Sequence, residues 1–215
     1  LHYDLAAKTY RHAPYEAFRI SDPKPRDIHK ASVRDRLLHR ALYRKLYGIF
    51  DRTFIADSFS CRVGKGTHRA MDRFRVFAGK ESHNYMRTTW VLKCDIRKFF
   101  ASIDHRVLLE IIAQRITDIA TRSLIAEIVG SFNSGRSGFG LPLGNLTSQL
   151  LANVYMNEFD QFVKNGLREK HYIRYADDFV FLSDSRMHLE GLIPKITEFL
   201  WQRLRLELHP DKLFI

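Results

Sequence analysis

Two short apolar runs on either side of a pair of acids constrain the fold of this chain more than any other feature. Residues 171–175 and 179–182 are rich in aromatic and β-branched side chains, as buried strands are, and Ala176-Asp177-Asp178 lies between them. The pattern predicts a β-hairpin whose tight turn carries two carboxylates. An acidic turn is often explained by local hydrogen bonding alone. However, two carboxylates about 4 Å apart repel by about 4 kcal/mol at an effective dielectric constant of about 20, and a divalent cation would offset that repulsion.

A third acid follows a predicted strand earlier in the chain. Residues 88–96 alternate, with Trp90, Leu92 and Cys94 on one face, and Asp95 lies at the end of this strand. Together with the hairpin acids, Asp95 makes a set of hard oxygen ligands of the kind that Mg²⁺ prefers beside substrate phosphates. Two such ions about 4 Å apart would stabilise the attacking and leaving oxygens of an in-line phosphoryl displacement. The three acids therefore predict nucleotidyl-transfer chemistry.

The chain carries a large excess of basic residues. Its 215 residues include 35 Lys plus Arg and 24 Asp plus Glu, which leaves a net charge of +11. Such an excess usually marks a polyanionic partner, most often a nucleic acid, and an ordinary basic protein is the alternative interpretation. Basic residues are densest over residues 24–65, where Arg34, Arg36 and Lys65 are predicted to contact a nucleic-acid backbone.

Composition excludes several other classes. Apolar residues make up 45% and charged residues 27% of the chain, so a disordered or low-complexity protein is excluded. No run approaches about 18 apolar residues, so no membrane span is predicted. The two cysteines cannot by themselves build a disulfide framework or a four-ligand zinc site, and a reducing cytoplasm is the expected compartment. Residues 64–67 read Gly-Lys-Gly-Thr, but their spacing is not that of a Walker phosphate-binding loop.

Periodicity and capping residues predict the remaining elements. Ser32 and Asp104 are predicted to cap amphipathic helices, and a further helix is predicted from about Asp118. A last amphipathic helix is predicted over residues 188–204, and residues 206–209 are predicted to form a short strand.

Four motifs occur in the order expected of reverse transcriptases. Residues 175–178, Tyr-Ala-Asp-Asp, resemble the Tyr-x-Asp-Asp signature of that family, and residues 95–104 look like its first palm motif. Residues 140–149 look like its glycine loop and helix, and residues 209–212 are similar to the lysine-bearing motif that follows. The four motifs span most of the chain and are highly specific as a set.

The resemblance implies an α+β fold of the right-hand polymerase type, in which the palm is an antiparallel sheet backed by helices. Residues 24–28 and 33–36 resemble fingers segments of bacterial reverse transcriptases, so residues 1–88 are expected to form the N-terminal part of the fingers. Residues 89–215 are expected to form the palm, with a return to the fingers near residues 113–138. The thumb is expected to lie outside this chain.

The resemblance also implies an RNA-directed DNA polymerase, in which a primer 3′-oxygen attacks the α-phosphorus of a dNTP. Its partners would be an RNA template, a DNA primer and dNTPs, and its cofactors two Mg²⁺ ions, for which Mn²⁺ is expected to substitute. The metal-binding residues implied by the resemblance are Asp95, Ile96, Asp177 and Asp178. Lys212 joins the three acids as a catalytic residue, because it is similar to the lysine proposed to protonate pyrophosphate.

A further set of residues is implied to bind the incoming nucleotide. Phe100 matches the position that blocks a 2′-hydroxyl, which favours deoxynucleotides and argues against an RNA-templated RNA polymerase. Leu143 matches a position that touches the nucleotide, and basic residues of the fingers segment could hold the triphosphate. The implied nucleotide-binding residues are Lys24, Arg26, Phe99, Phe100, Leu143, Gly144 and Gln149.

The sequence of the glycine loop resembles that of one subgroup of reverse transcriptases. Residues 143–149, Leu-Gly-Asn-Leu-Thr-Ser-Gln, resemble the reverse transcriptases of diversity-generating retroelements, which copy a template-repeat RNA and misincorporate opposite adenine. Leu143 fills space where a glutamine would hydrogen-bond the nucleotide, so weaker selection of the correct pair is expected. A small basic accessory protein is a further expected partner. The alternatives are a retron, group II intron or defence-associated reverse transcriptase and, in another class, an inactive nucleic-acid-binding scaffold, against which the intact acids argue.

Overall fold

The chain forms two compact units, and each combines two separate stretches of sequence. A computed structural model describes every residue except 22–24. The boundaries of the units differ from the boundary expected between fingers and palm at residue 88, so the assignment of fingers and palm remains a prediction. The first unit contains residues 1–52 and 100–154, and the second contains residues 53–99 and 155–215.

Strands and helices occur in separate runs along the chain, and the strands pair antiparallel, as expected for an α+β protein. The elements in chain order are α1 (His2–Ala6), β1 (Glu16–Ile20), β2 (Arg26–Lys30), α2 (Val33–Phe50), α3 (Thr67–Glu81), β3 (Trp90–Cys94), α4 (Phe99–Ser102), α5 (His105–Ala113), α6 (Ile119–Gly130), α7 (Leu146–Gln161), β4 (Tyr172–Tyr175), β5 (Asp178–Ser183) and α8 (Arg186–Leu204). Short 3₁₀ segments occur at Asp51–Thr53 and Pro210–Lys212, and α7 continues as a π-helical turn at Phe162–Gly166.

The first unit is mainly helical and carries the antiparallel hairpin of β1 and β2. Helix α2 begins where predicted, because the Ser32 side chain accepts a hydrogen bond from the backbone N–H of Asp35. Asp104 caps α5 in the same way, and Asp118 caps α6. These capping residues confirm the three helix starts predicted from the sequence.

The second unit is built on a three-stranded antiparallel sheet in the order β3-β5-β4. One face of the sheet packs against α3, in a cluster that contains Phe59, Phe77, Ile173 and Leu182. The other face contributes Phe179, whose ring lies 4.9 Å from that of Phe159 in the C-terminal half of α7, and α8 also packs against β3 and β5. An antiparallel sheet with helices on both faces confirms the predicted architecture.

The predicted strand at residues 206–209 is wrong. Only Leu208 forms a bridge, with Ile96, which lies beyond the end of β3. Arg205 ends α8 in the left-handed conformation (φ 54°), and Pro210 begins a 3₁₀ turn shortly afterwards. The intervening segment is therefore too short to extend the ladder. In the part of the chain that the structure describes, no helix has the length and apolar character needed to cross a membrane.

Candidate active site

The predicted acidic turn connects β4 and β5. Tyr175 pairs with Asp178, so only Ala176 and Asp177 form the turn. Ala176 has a positive φ of 57°, a conformation that a residue with a Cβ adopts at a cost of about 1–2 kcal/mol. The sequence pattern was therefore right about the hairpin, and the turn is tight enough to hold both acids at one end of the sheet.

Asp95 reaches the same end of the sheet from the neighbouring strand. Cys94, the last residue of β3, lies opposite Phe179 in β5, so Asp95 follows the strand at the level where the hairpin acids begin. The backbone carbonyl of Asp95 accepts a hydrogen bond from the N–H of His209 (2.8 Å). The structure thus brings together acids that are more than 80 residues apart in the sequence.

Asp177 is the acid whose ionisation its surroundings disfavour. Burial raises the pKa of Asp177 to about 6, and the negative charges of Asp95 and Asp178 contribute to the increase, whereas Lys212 opposes it. A raised carboxyl pKa means that the ionised form is destabilised by its surroundings. Burial is thus the main cost of ionising Asp177, and the neighbouring acids add to it.

Lys212 lies beside the acids. It ends the 3₁₀ turn Pro210–Lys212, and its Nζ donates to Oδ2 of Asp95 at 2.9 Å. This hydrogen bond is the main reason why the pKa of Lys212 is raised. The ammonium group is half-exposed, so it remains accessible from solvent.

The donor set is suited to a hard divalent cation. Carboxylate oxygens are the ligands that Mg²⁺ prefers, and a bound cation would stabilise the ionised form of Asp177, which burial and the neighbouring acids disfavour. Asp95, Asp177 and Asp178 would hold such an ion, whereas Ile96 has a buried apolar side chain and could contribute only its carbonyl. Within the described residues, no three His, Cys, Asp or Glu side chains are already arranged to hold a metal ion. The metal-ligand roles therefore remain predictions.

Most of the predicted nucleotide-binding residues lie in the first unit. The glycine loop contacts β2, because the N–H of His29 donates to the carbonyl of Leu143 (3.1 Å) and Asn145 Nδ2 donates to the carbonyl of His29 (2.8 Å). Gly144 has a φ of +96°, and a Cβ there would lie 2.8 Å from Ile28 Cγ2. This docking connects the predicted loop to the strand that begins with Arg26.

The remaining predicted residues have varied surroundings. The side chains of Arg26 and Arg36 are exposed, Phe100 and Gln149 are partly buried, and Phe99 belongs to the core. Arg34 donates to Asp4 and to the carbonyl of Arg11, and Lys65 donates to the carbonyl of Ala56. Lys24 lies outside the described residues. The binding roles of all these residues remain predictions.

The sequence reasoning missed a buried polar network beneath the turn. Arg174 in β4 and Asp160 in α7 form an ion pair of 2.7 Å with both side chains almost completely buried. The signal was present, since Arg174 is a charged residue inside an otherwise apolar strand, where charges are rare unless they are paired. Its partner could not be read from the sequence.

The chain is similar to a known protein family, to individual known proteins and to solved structures. Residues 21–215 match the protein family described as "Reverse transcriptase (RNA-dependent DNA polymerase)". The chain belongs to the reverse transcriptase family.

The relatives include a group II intron-encoded protein and a retron reverse transcriptase. The chain is 25% identical over 242 residues to Protein YkfC of Escherichia coli K12, covering 93% of this chain and 62% of YkfC. It is 29% identical over 146 residues to the group II intron-encoded protein LtrA of Lactococcus lactis subsp. cremoris, covering 65% of this chain and 23% of LtrA. It is 27% identical over 108 residues to the retron Ec83 reverse transcriptase of Escherichia coli, covering 47% of this chain and 35% of that protein.

A solved structure shows the same fold. Apo telomerase from Candida tropicalis has a TM-score of 0.68 at 11% identity, covering 95% of this chain and 44% of the telomerase chain. This reverse transcriptase chain therefore spans less than two thirds of the length of the proteins that it resembles.

Proposed function

We propose that this chain catalyses RNA-templated DNA synthesis from dNTPs at the acids Asp95, Asp177 and Asp178. The convergence of these acids at one end of the sheet, with the raised pKa of Asp177, is the observation that supports the proposal most strongly. Membership of the reverse transcriptase family supports the choice of reaction.

The three acids and Lys212 would have different roles in the reaction. Asp95, Asp177 and Asp178 would hold two Mg²⁺ ions, which when bound supply charge neutralisation to the transferring phosphoryl group. Lys212 would protonate the departing pyrophosphate, and its contact with Asp95, to which its Nζ donates at 2.9 Å, supports this role. Positioning and electrostatic stabilisation would account for most of the catalysis, as is general for phosphoryl transfer.

Substrate selection is assigned to residues of the first unit. Phe100 would exclude a 2′-hydroxyl, and Arg26 would bind the triphosphate, since Arg can hold phosphate oxygens with two hydrogen bonds. Leu143, Gly144 and Gln149 would line the nucleotide site. The net charge of +11 would favour binding of an RNA template and its DNA product along their backbones.

Primer extension with separate dNTPs and NTPs tests this function. The unaltered chain is expected to extend a DNA primer on an RNA template only with dNTPs and only when Mg²⁺ or Mn²⁺ is added. Asp177→Ala is expected to abolish synthesis while leaving heteroduplex binding intact. Binding without synthesis by the unaltered chain would instead indicate a non-catalytic scaffold.

Within this function, we propose the type found in diversity-generating retroelements. The string Leu143 to Gln149 supports it, because an aliphatic side chain at residue 143 offers no hydrogen bond for selecting the correct base pair. A group II intron or retron type is the second candidate, favoured by the relatives LtrA and retron Ec83. Misincorporation opposite template adenine decides between them. It is expected to be frequent in the unaltered chain and to decrease in Leu143→Gln, and a low, unchanged error rate would favour the second candidate.

A further inference from the structure

Arg174 is a fully buried charge three residues before Asp177. Only 1% of the residue is exposed, and among the described residues it is the largest of the fully buried side chains. A buried guanidinium destabilises a fold strongly unless its N–H groups have well-placed acceptors. Its neighbours therefore show what the charge is used for.

Asp160 of α7 holds one side of the guanidinium. Nε of Arg174 donates to Oδ1 of Asp160 at 2.8 Å, and Nη2 donates to Oδ2 at 2.7 Å, which is the paired geometry of an Arg–carboxylate bridge. The hydroxyl of Tyr172 also donates to Oδ1 (2.8 Å). Burial opposes the charge of Arg174, yet Asp160 keeps the pKa of the guanidinium above its usual value. The guanidinium is therefore charged, and its two hydrogen bonds to Asp160 fix its orientation.

The other side of the guanidinium reaches the turn. Nη1 of Arg174 donates to the backbone carbonyl of Ala176 at 2.9 Å. That carbonyl belongs to the peptide group between Ala176 and Asp177. Because a peptide group is planar, holding its oxygen also holds the backbone nitrogen and Cα of Asp177. The hydrogen bond also holds Ala176 in its left-handed conformation, which persists only where the surroundings support it.

The segment that precedes α3 anchors the same residue from its backbone. The N–H of Arg174 donates to the carbonyl of Asp57 (3.0 Å), and the carbonyl of Arg174 accepts from the N–H of Phe59 (3.0 Å). Nη2 of Arg174 donates to Oγ of Ser58 at 3.1 Å. Both the main chain and the side chain of Arg174 are thus held, so its contact with the turn has little freedom.

We propose that Arg174 and Asp160 are positioning residues for nucleotidyl transfer, which hold the Ala176–Asp177 peptide so that Asp177 faces the reaction centre. The inference rests on the proposed function of Asp177. A rigid strand–helix ion pair is suited to this task, because sites need supporting contacts that lock the groups touching the substrate. Loss of such supporting contacts typically lowers metal affinity or activity by about ten- to a hundredfold.

Arg174→Lys tests the proposal. Lysine keeps the charge but cannot bond Asp160 twice and reach the Ala176 carbonyl as well. We expect kcat per active site in primer extension, corrected by burst amplitude, to fall about tenfold or more, and KM for dNTP to change by less than about threefold. We also expect half-maximal synthesis to require a higher Mg²⁺ concentration, which a purely structural loss would not cause because it lowers only the active fraction.

Arg73→Lys is the matched control. Arg73 donates at 2.7 Å to the side chain of Asp57, whose carbonyl accepts from the N–H of Arg174, but among the described residues its hydrogen bonds do not include the turn. This variant is expected to keep its kcat per active site and its Mg²⁺ requirement. A wild-type rate and Mg²⁺ requirement in Arg174→Lys would overturn the positioning role.

Two further comparisons keep the outcome decisive. If Arg174→Lys does not fold, Tyr172→Phe serves instead, because it removes one hydrogen bond to Asp160 without removing a charge. A decrease in kcat of about threefold or more would support the proposal, and an unchanged kcat would contradict it. Asp177→Ala separates the two levels of inference. If Arg174→Lys is fully active and Asp177→Ala is inactive, the positioning role is contradicted but the proposed function is not. If the unaltered chain is inactive, both the proposed function and this inference are contradicted.

Discussion

Asp177 carries an energetic cost in the folded protein. Its pKa is raised to about 6, mainly by burial, from an ordinary value of 3.8. Between these two pH values the folded state binds more protons than the unfolded state, so stability decreases as the pH rises from about 4 to about 6. The same surroundings that make the ionised acid unstable make it ready to bind a cation.

Asp177→Asn is therefore expected to stabilise the metal-free protein. At pH 7 the free energy of unfolding should increase by about 1–3 kcal/mol, because the amide has no charge to bury. The gain should be mostly lost near pH 4, where the acid is protonated in the folded state and about half protonated in the unfolded state. Urea unfolding at both pH values measures the effect, with Asp184→Asn, at an exposed loop position, as the control; a variant no more stable than wild type at pH 7 would contradict the prediction.

A buried histidine pair in the first unit has the opposite pH dependence. His39 Nε2 lies 3.1 Å from His12 Nε2, and Thr147 Oγ1 lies 3.2 Å from His39 Nδ1. One arrangement with neutral rings satisfies these contacts: Thr147 donates to His39, and His39 donates to His12. Burial, with the neighbouring His12, lowers the pKa of His39 to about 4.

Acidification is expected to weaken the first unit through His39. The unfolded state binds more protons between about pH 6.5 and pH 4, so the stabilising contribution is complete above pH 6.5 and decreases by up to about 3 kcal/mol towards pH 4. Urea titrations should be made in the Asp177→Asn background, where the opposite slope of Asp177 is absent. His39→Gln should flatten the pH profile, and an unchanged slope in that variant would assign it to other groups.

At the scale of elements, capping residues predicted the starts of α2, α5 and α6, and alternation predicted β3, whereas β1, β2 and α3 were not predicted. Ser32, Asp104 and Asp118 begin helices because their side-chain oxygens accept from free N–H groups a few residues later, which is a local interaction. The strand predicted at residues 206–209 failed because its ladder depends on where β3 ends. Local chemistry predicts where elements begin, whereas pairing decides how far they extend.

The glycine loop provides a prediction at this scale. Gly140 has a φ of +100°, and a Cβ there would lie 2.6 Å from Ser134 Cβ. Ser134 cannot easily move away, because its hydroxyl donates to the carbonyl of Ala101 (2.6 Å). Gly140→Ala should therefore lower the free energy of unfolding by about 2 kcal/mol or more.

Gly130→Ala is the control for that experiment. Gly130 ends α6, and a Cβ added there would meet nothing within 4 Å. Its unfolding free energy should be unchanged or slightly higher, since alanine favours the helix. Equal stability of the two alanine variants in denaturant titrations would show that the Gly140 conformation is not required.

At the scale of the whole molecule, charge is the dominant property. A net charge of +11 is spread over both units, and Arg36 is one of the exposed basic side chains. Binding through backbone phosphates releases counterions, so affinity falls steeply with salt. Burial of a hydrophobic interface would show no comparable dependence.

Heteroduplex binding is thus expected to weaken by about a thousandfold between roughly 50 and 200 mM salt, as for about six phosphate contacts. Arg36→Gln should reduce the slope of log affinity against log salt by about one unit if this side chain contacts a phosphate. Fluorescence anisotropy over a salt series measures both quantities. Affinity that is independent of salt would contradict an electrostatic interface.

The sequence by itself determined the local features of this protein. Alternation specified β3, capping specified the starts of three helices, and the order of four motifs indicated the family. Asp177 and Asp178 are consecutive in the sequence, so their proximity at the end of the hairpin required no knowledge of packing. Such features depend on residues a few positions apart, whose geometry is set by the backbone.

Only the tertiary structure decided which distant residues meet. The approach of Asp95 to the hairpin, the contact of Lys212 with Asp95 and the pairing of Arg174 with Asp160 all depend on how strands and helices pack. A buried charge could be recognised in the sequence, but its partner could not, because many acids were available and packing selects one. The support beneath the acidic turn is therefore a property of the folded chain.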